Sequence, residues 1–344
     1  MKKLTKALLT LSSAALIAAP LAVSAQEAEG LSAIMITDQG GIDDKSFNQS
    51  AWEGLVAWGE EHGKEQGVGG YDYLESPSDS DYITNMNTAI QGGFDVIFGV
   101  GFKIQDALTQ MSEQNPDQYF AIVDGVVEAD NVASLNFKDH EAAFLAGVAA
   151  ASTTETNHIG FVGGVEGVVI DRFEAGFVAG AKEINPDIEI SIEYVGSFAD
   201  APRGKQIAAA MYANDADIIF QAAGGSGNGV FSEARDLVTA DPERNIWVIG
   251  VDRDQEEEGT FEVDGETRVI TLTSTLKEIG SSIKTFLENS EADGFTAGNT
   301  VFGLAEGGVG ITDGEMAEAV VSTIEDYEQQ IIDGEIEVPE TPAE

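Results

Sequence analysis

Asp38, Asp43, Asp44, Phe47 and Asn48 fall close together in Ile36-Thr-Asp-Gln-Gly-Gly-Ile-Asp-Asp-Lys-Ser-Phe-Asn-Gln-Ser-Ala-Trp-Glu-Gly54. A carboxylate accepts hydrogen bonds from ring N–H or amino groups, an amide both donates and accepts, and an aromatic ring stacks on a flat heterocycle. The combination suits a polar small molecule with a flat part, and it disfavours phosphate, which the carboxylates repel. Asp and Asn are also favoured at helix starts, so one of Asp43 and Asp44 is expected to cap the helix that begins near Ser46. The other carboxylate and Asn48 then face a ligand.

More candidates lie further along the chain. Asp124 ends the apolar run Tyr119–Val123 and precedes Gly125, so it is either a strand-end ligand contact or a turn-forming Asp-Gly. Phe198, in Gly-Ser-Phe-Ala-Asp, is a second stacking candidate opposite Phe47, and Phe102 is a weaker third. Asp252 ends the run Ile246–Val251, and Lys277 is placed in a new helix after Thr273-Ser274. A carboxylate that takes both hydrogens of a vicinal diol, with a lysine donating to the same oxygens, reads a sugar; a hinge salt bridge is the plainer alternative. Gly224-Gly-Ser-Gly-Asn-Gly229 has Gly-x-Gly-x-Gly spacing, which differs from a dinucleotide fingerprint. Its backbone N–H groups suit a ligand hydroxyl such as a ribose 5′-oxygen, with Gly225 the first choice. Catalytic patterns are lacking: His62, His140 and His158 have no metal-ligand spacing, and Ser226 is not in Gly-x-Ser-x-Gly.

The elements that must position these residues alternate. Valine-, isoleucine- and phenylalanine-rich runs at Ser32–Thr37, Gly70–Leu74, Val96–Gly99, Tyr119–Val123 and Val132–Asn136 are followed by others at Ile159–Val162, Glu189–Tyr194, Ile218–Gln221, Ile246–Val251, Val269–Thr273 and Thr300–Gly303. Helical patterns separate them. This predicts an α/β protein with two parallel-sheet, Rossmann-like domains, whose ligands bind beyond the carboxyl ends of the strands. The lobes are expected at 31–136 plus 275–297 and at 137–274 plus 298–344, joined by several crossing strands. The polar tail ending Val-Pro-Glu-Thr-Pro-Ala-Glu is expected to fray.

Lys2, Lys3 and Lys6 precede the apolar stretch Ala7–Ala19, and Val23-Ser24-Ala25 offers a small-x-small site, so an export signal cleaved after Ala25 is expected. The apolar stretch is too short to span a bilayer. With no cysteine, disulfides, thiolate metal sites and a lipid anchor are excluded. The mature chain should be soluble in a periplasm. Its 61 acidic and 17 basic residues exclude a nucleic-acid partner, which needs cations to neutralise phosphates. With 43% hydrophobic residues the chain is not disordered, so the acidity reads as salt adaptation of a halophilic or halotolerant source.

The motif Ile36-Thr37-Asp38-x-Gly-Gly-x-Asp43-Asp44-Lys45-Ser46-Phe47-Asn48-Gln49 resembles the signature of the basic membrane protein family of ABC-transporter substrate-binding proteins, whose best-understood members are purine nucleoside receptors. The similarity continues at Ala121-Ile-Val-Asp-Gly125, Gly160-Phe-Val-Gly-Gly164, Phe173-Glu-x-Gly-Phe177, Tyr194-Val-Gly-Ser-Phe198-x-Asp200, Ala223-Gly-Gly-x-Gly-x-Gly229, Gly250-Val-Asp252 and Thr273-Ser-x-x-Lys277. The blocks cover essentially the mature chain in order, although the acidic charge departs from the often basic family. The resemblance implies a type I periplasmic binding protein: a monomer, without cofactor or catalysis, that closes on a nucleoside and presents it to a membrane permease with an ATPase. It assigns Asp44, Asn48 and Asp124 to the base and aromatic residues of both lobes to its two faces. Rivals are a receptor for a free base, a flavin or another metabolite, an exported nucleoside hydrolase, and a ligand-sensing domain.

Overall fold

The computed structural model describes residues 30–343, so the expected export signal and the expected cleavage after Ala25 lie outside the described residues. In the first half, β1 (Ala33–Ile36), α1 (Phe47–Glu61), β2 (Tyr71–Leu74), α2 (Tyr82–Gly92), β3 (Val96–Val100), α3 (Gln105–Gln114), β4 (Tyr119–Val123) and β5 (Val132–Phe137) alternate as expected. The second half continues with α4 (Asp139–Thr153), β6 (His158–Gly163), α5 (Val168–Ile184), β7 (Glu189–Tyr194), α6 (Ala201–Ala213), β8 (Ile218–Ala222), α7 (Asn228–Ala240) and β9 (Trp247–Gly250). There follow the one-turn α8 (Glu256–Gly259), β10 (Thr260–Val263), β11 (Glu266–Val269), β12 (Thr271–Lys277), α9 (Ile279–Asp293), β13 (Gly298–Phe302), β14 (Val309–Ile311) and α10 (Glu318–Ile332).

Two six-stranded sheets result, ordered β13-β5-β4-β3-β1-β2 and β14-β12-β9-β8-β6-β7. All pairs are parallel except β12 with β14. The central strands are apolar along their length because both faces are covered. In β1, Ala33 and Met35 pack into the core shared with α1 and α9, while Ile34 and Ile36 enter the core under α2 and α3. The strand order reverses between β1 and β3 in one sheet and between β6 and β8 in the other. Loops diverge at such reversals and leave a crevice beyond the carboxyl ends.

Glycines set the helix spacing. A Cβ on Gly180 of α5 would lie 1.9 Å from the Phe144 carbonyl oxygen of α4, and one on Gly54 of α1 would lie 2.2 Å from Gly280 Cα of α9. The apolar all-round helix α4 is accordingly wedged between packing partners and contributes to the cores of both lobes.

The chain crosses between the sheets after β5, after β12 and between β13 and β14. The crossings are laced together: Lys138 N–H donates to Phe302 O at 2.8 Å, and Glu278 N–H to Gly308 O at 2.9 Å. Strand β13 pairs with β5, so residues 298–302 belong to the first sheet and not to the second lobe as expected. Lys277 closes strand β12; the expected helix starts only at Ile279. The expected strand Val269–Thr273 is broken at Ile270, where the antiparallel β10–β11 hairpin ends and β12 begins. The tail does not fray: Val338 is buried in the core with Ile324 and Ile331, and Glu340 pairs with Arg172 at 3.4 Å. No helix among the described residues is long and apolar enough to cross a membrane.

Candidate functional site

The loops leaving β1, β3, β4, β7, β8 and β9, together with the end of β12 and the start of α5, converge on one cleft between the sheets. It encloses an atom-free space of about 470 Å³, open mouth included. Asp44, Phe47, Asn48, Asp124, Phe198, Asp252 and Lys277 all line it. Of the expected site residues only Gly225 is absent from the lining; Gly224, with φ of +53°, lies there instead. The glycine loop forms a single 3₁₀ turn, Gly224–Gly227, that runs into α7.

Helix α1 begins at Phe47 because Asp44 ties up its first turn. Asp44 Oδ1 accepts from Ser46 N (2.9 Å) and Gln49 N (3.1 Å), and Oδ2 from Asn48 N (3.0 Å) and Asn48 Nδ2 (3.0 Å). The capping carboxylate is thus Asp44, and Asp43 is exposed. The second carboxylate at the cleft is Asp38, which the sequence placed in the loop but did not single out. Its Oδ1 accepts from Asn48 Nδ2 at 2.8 Å and from Gly40 N at 3.1 Å. Burial pushes Asp38 up to about 6, against these hydrogen bonds, and burial likewise raises Asp44. With both amide hydrogens of Asn48 engaged, its Oδ1 is buried without a hydrogen-bond partner among the described residues.

Asp124 and Asp252 follow β4 and β9 with φ of +63° and +67°. Asp tolerates this left-handed backbone better than most residues. Asp124 Oδ2 accepts from Lys277 Nζ at 2.5 Å, while Asp124 Oδ1 is buried and unpartnered among the described residues. Lys277 Nζ also lies 2.9 Å from Asp139 Oδ1, at the first crossing between the sheets. Asp252 is not the ion-pair partner expected for Lys277. Its Oδ2 accepts from Ser46 Oγ of the other lobe at 2.5 Å, and its backbone carbonyl accepts from Lys277 N at 2.9 Å. The hinge-bridge alternative therefore describes Lys277 well, since Asp139 and Lys277 sit where the chain crosses.

Burial alone would lower the Lys277 pKa; the facing carboxylates of Asp124, Asp139 and Asp252 outweigh it and hold the ammonium above its ordinary value. Burial pushes Asp139 up to about 7 and Asp252 up to about 6, in both cases against the pull of Lys277. The lysine also lies 5.2 Å from the Phe47 ring centroid and 5.1 Å from that of Phe137, within cation–π range.

Four phenylalanines line the cleft: Phe47, Phe102, Phe173 and Phe198. Phe102 meets Phe198 edge-to-face, with centroids 6.2 Å apart at 84°. Phe173, with Val169 and Ile170 on the first turns of α5, was not anticipated as lining; periodicity marks these residues only as a core-facing helix stripe. Asp139 reads in sequence as an ordinary acidic helix start, and its partnership with Lys277 is visible only in three dimensions. The lobes also touch across the cleft, through Gln255 Nε2 to Lys45 O (2.8 Å), Asn228 Nδ2 to Asp44 O (3.2 Å) and Arg253 with Glu53 (3.2 Å).

Comparison with known proteins agrees with this geometry. The structure is similar to an ABC transporter solute-binding protein from Aeropyrum pernix K1, with a TM-score of 0.77 at 26% identity over 91% of this chain and 94% of that one. It shares its fold with a sugar transporter protein from Clostridium phytofermentans, with a TM-score of 0.59 at 15% identity over 82% of this chain and 98% of that one. In sequence it is 48% identical to a CD4+ T-cell-stimulating antigen of Listeria monocytogenes, over 90% of this chain and 88% of the relative. It is 46% identical to the ABC transporter nucleoside-binding protein BmpA of Lactococcus lactis, over 90% of this chain and 89% of the relative. A family profile described as ABC transporter substrate-binding protein PnrA-like matches residues 31–342. The two-sheet fold, the cleft and these matches together show that the chain belongs to the PnrA-like family of ABC transporter substrate-binding proteins, non-catalytic extracytoplasmic proteins that bind a solute for import.

Proposed function

We propose that this protein captures a nucleoside, with a purine base, between its two lobes and delivers it as a monomer to a membrane permease driven by an ATPase. The observation that carries the reading is the pair of buried, unpartnered acceptors, Asn48 Oδ1 and Asp124 Oδ1, in a cleft lined by four phenylalanines. Buried acceptors without partners are costly, and a base edge carrying N–H groups satisfies them on binding. Phe47 and Phe198 offer faces for stacking. Asp252, accessible to the cleft beside its Ser46 bond, suits a ribose diol, with Lys277 nearby, and the glycine turn at Gly224 and Gly225 suits the 5′-hydroxyl. Asp44, already accepting from four N–H groups, serves the base through Asn48. Four carboxylates, Asp38, Asp44, Asp124 and Asp252, line the cleft with one lysine, Lys277, which argues against a phosphorylated ligand.

The relative from Lactococcus lactis is described as nucleoside-binding, which supports the same ligand class here. Export with cleavage after Ala25 would bring the mature chain to the periplasm, and the acidic surface fits a saline habitat. Native mass spectrometry of the gently purified protein tests the reading. A retained mass equal to a nucleoside supports it. A retained sugar or flavin overturns it, and so does released free base in stoichiometric excess after incubation with inosine.

A further inference from the structure

The orientation of the Asn48 amide is dictated from outside the ligand space. Its Nδ2 group points at two carboxylate oxygens, Asp38 Oδ1 at 2.8 Å and Asp44 Oδ2 at 3.0 Å. A flipped amide would set its carbonyl oxygen against those same oxygens, acceptor to acceptor, which hydrogen bonding forbids. Asn48 itself is 2% exposed, so no solvent relieves such a flip. We infer that Asp38 is a specificity-determining positioning residue: by locking the Asn48 amide it presents only an acceptor to the cleft, so the protein selects ligands whose base edge carries an N–H donor.

Three further observations support the lock. Asp38 is itself fixed, since its Oδ1 also accepts from Gly40 N at 3.1 Å. Gly101, with φ of +111°, leaves room for it; a Cβ there would sit 3.1 Å from Asp38 Oδ2. Although burial pushes Asp38 up to about 6, it remains an ionised acceptor at neutral pH. The second free acceptor is Asp124 Oδ1, whose partner oxygen Oδ2 accepts from Lys277 Nζ at 2.5 Å. The recognition edge of the cleft is therefore acceptor-only, which is stricter than a preference for flat heterocycles.

The inference rests on the nucleoside reading and is tested by a pair of probes of nearly equal size. Inosine carries a ring N–H, whereas purine riboside has the same bicycle and ribose with no N–H on the base. Leaving a buried acceptor unpaired costs about 1–3 kcal/mol, so calorimetry of the wild-type protein should show inosine favoured by roughly 5- to 150-fold. In Asp38→Asn one of the two carboxylates that hold the Asn48 amide becomes a group that can donate, so the lock weakens while Asp44 Oδ2 still opposes a flip, and the preference should fall measurably below the wild-type ratio. A merely structural role for Asp38 would weaken both ligands together and leave their ratio unchanged. Equal wild-type affinities overturn the inference, as does an unchanged ratio in Asp38→Asn. The wild-type comparison decides by itself if that variant does not fold. Binding of neither probe nor any other nucleoside would overturn the parent reading, and the inference with it, an outcome distinct from binding without discrimination.

Discussion

Replacing Lys277 by methionine should expose how much of the fold depends on one buried cation. The ammonium lies 2.5 Å from Asp124 and 2.9 Å from Asp139, with side-chain exposures of 2%, 4% and 0%. At an effective dielectric of about 20, those separations correspond to roughly 6 or 7 kcal/mol of attraction each, offset by several kcal/mol of desolvation per ion. Removing one partner of such a cluster costs about 3–5 kcal/mol, because it strands the carboxylates. The stranded groups can take up protons, and each pH unit between the medium and a raised carboxylate pKa is worth about 1.4 kcal/mol. The deficit of Lys277→Met should therefore be largest near neutral pH and shrink toward ~1–2 kcal/mol in mild acid. Urea unfolding of wild type and variant at neutral and mildly acidic pH measures this, and adding Asp139→Asn to Lys277→Met should recover part of the loss. A deficit that is negligible, or that does not diminish on acidification, would refute the reasoning.

Other perturbations read different layers of the structure. Gly180→Ala places a methyl 1.9 Å from the Phe144 carbonyl oxygen and should separate α4 from α5 at a cost of at least 1–3 kcal/mol in unfolding experiments; Gly310→Ala, with nothing within 4 Å, should be close to neutral. In the ligand-free protein Asp38 and Asp252 are raised from 3.8 to about 6 and Asp139 to about 7, so the native state binds these protons more tightly than the unfolded chain. Their contribution is fully present below the unfolded value and is lost as pH rises through about 6 to 7, so thermal stability should fall across that window, and less steeply in Asp38→Asn. Phe198→Ala should weaken nucleoside binding by about 1–3 kcal/mol in calorimetry without unfolding the protein; an unchanged affinity would remove Phe198 from the stacking pair. With a formal charge of −44, the melting temperature should climb with potassium chloride as the screening length falls from ~10 Å toward ~3 Å, and a flat dependence would contradict salt adaptation.

Much of this architecture is legible in the chain because parallel strands covered on both faces need continuous apolar runs, such as Tyr-Phe-Ala-Ile-Val at 119–123. The β10–β11 hairpin was missed although it carried a signal: Asp264-Gly265 between Phe-Glu-Val and Glu-Thr-Arg-Val, with φ of +53° and +85° at the turn. Strand β14 is three residues long, too short for any periodicity. Lys277 was assigned to a helix, yet Thr-Leu-Thr-Ser-Thr-Leu-Lys is rich in β-branched residues and continues as a strand. Seven of the eight expected site residues meet at the cleft because strand ends in this fold are brought together by topology. What could not be read was partnership. Local spacing cannot tell that Asp44 caps and Asp43 does not. Nor can it tell that Lys277 reaches Asp124, 153 residues earlier, in preference to Asp252.

The central claim is that the cleft takes a whole nucleoside, and isothermal titration with inosine, hypoxanthine and inosine 5′-monophosphate tests it most directly. Loss of either the ribose contacts or charge compatibility should cost at least one tenfold step, about 1.4 kcal/mol. Inosine should therefore bind more tightly than both the free base and the nucleotide, and Asp252→Ala should erase its advantage over hypoxanthine. Equal binding of hypoxanthine and inosine, tighter binding of the nucleotide, or no binding of any of the three would contradict the account.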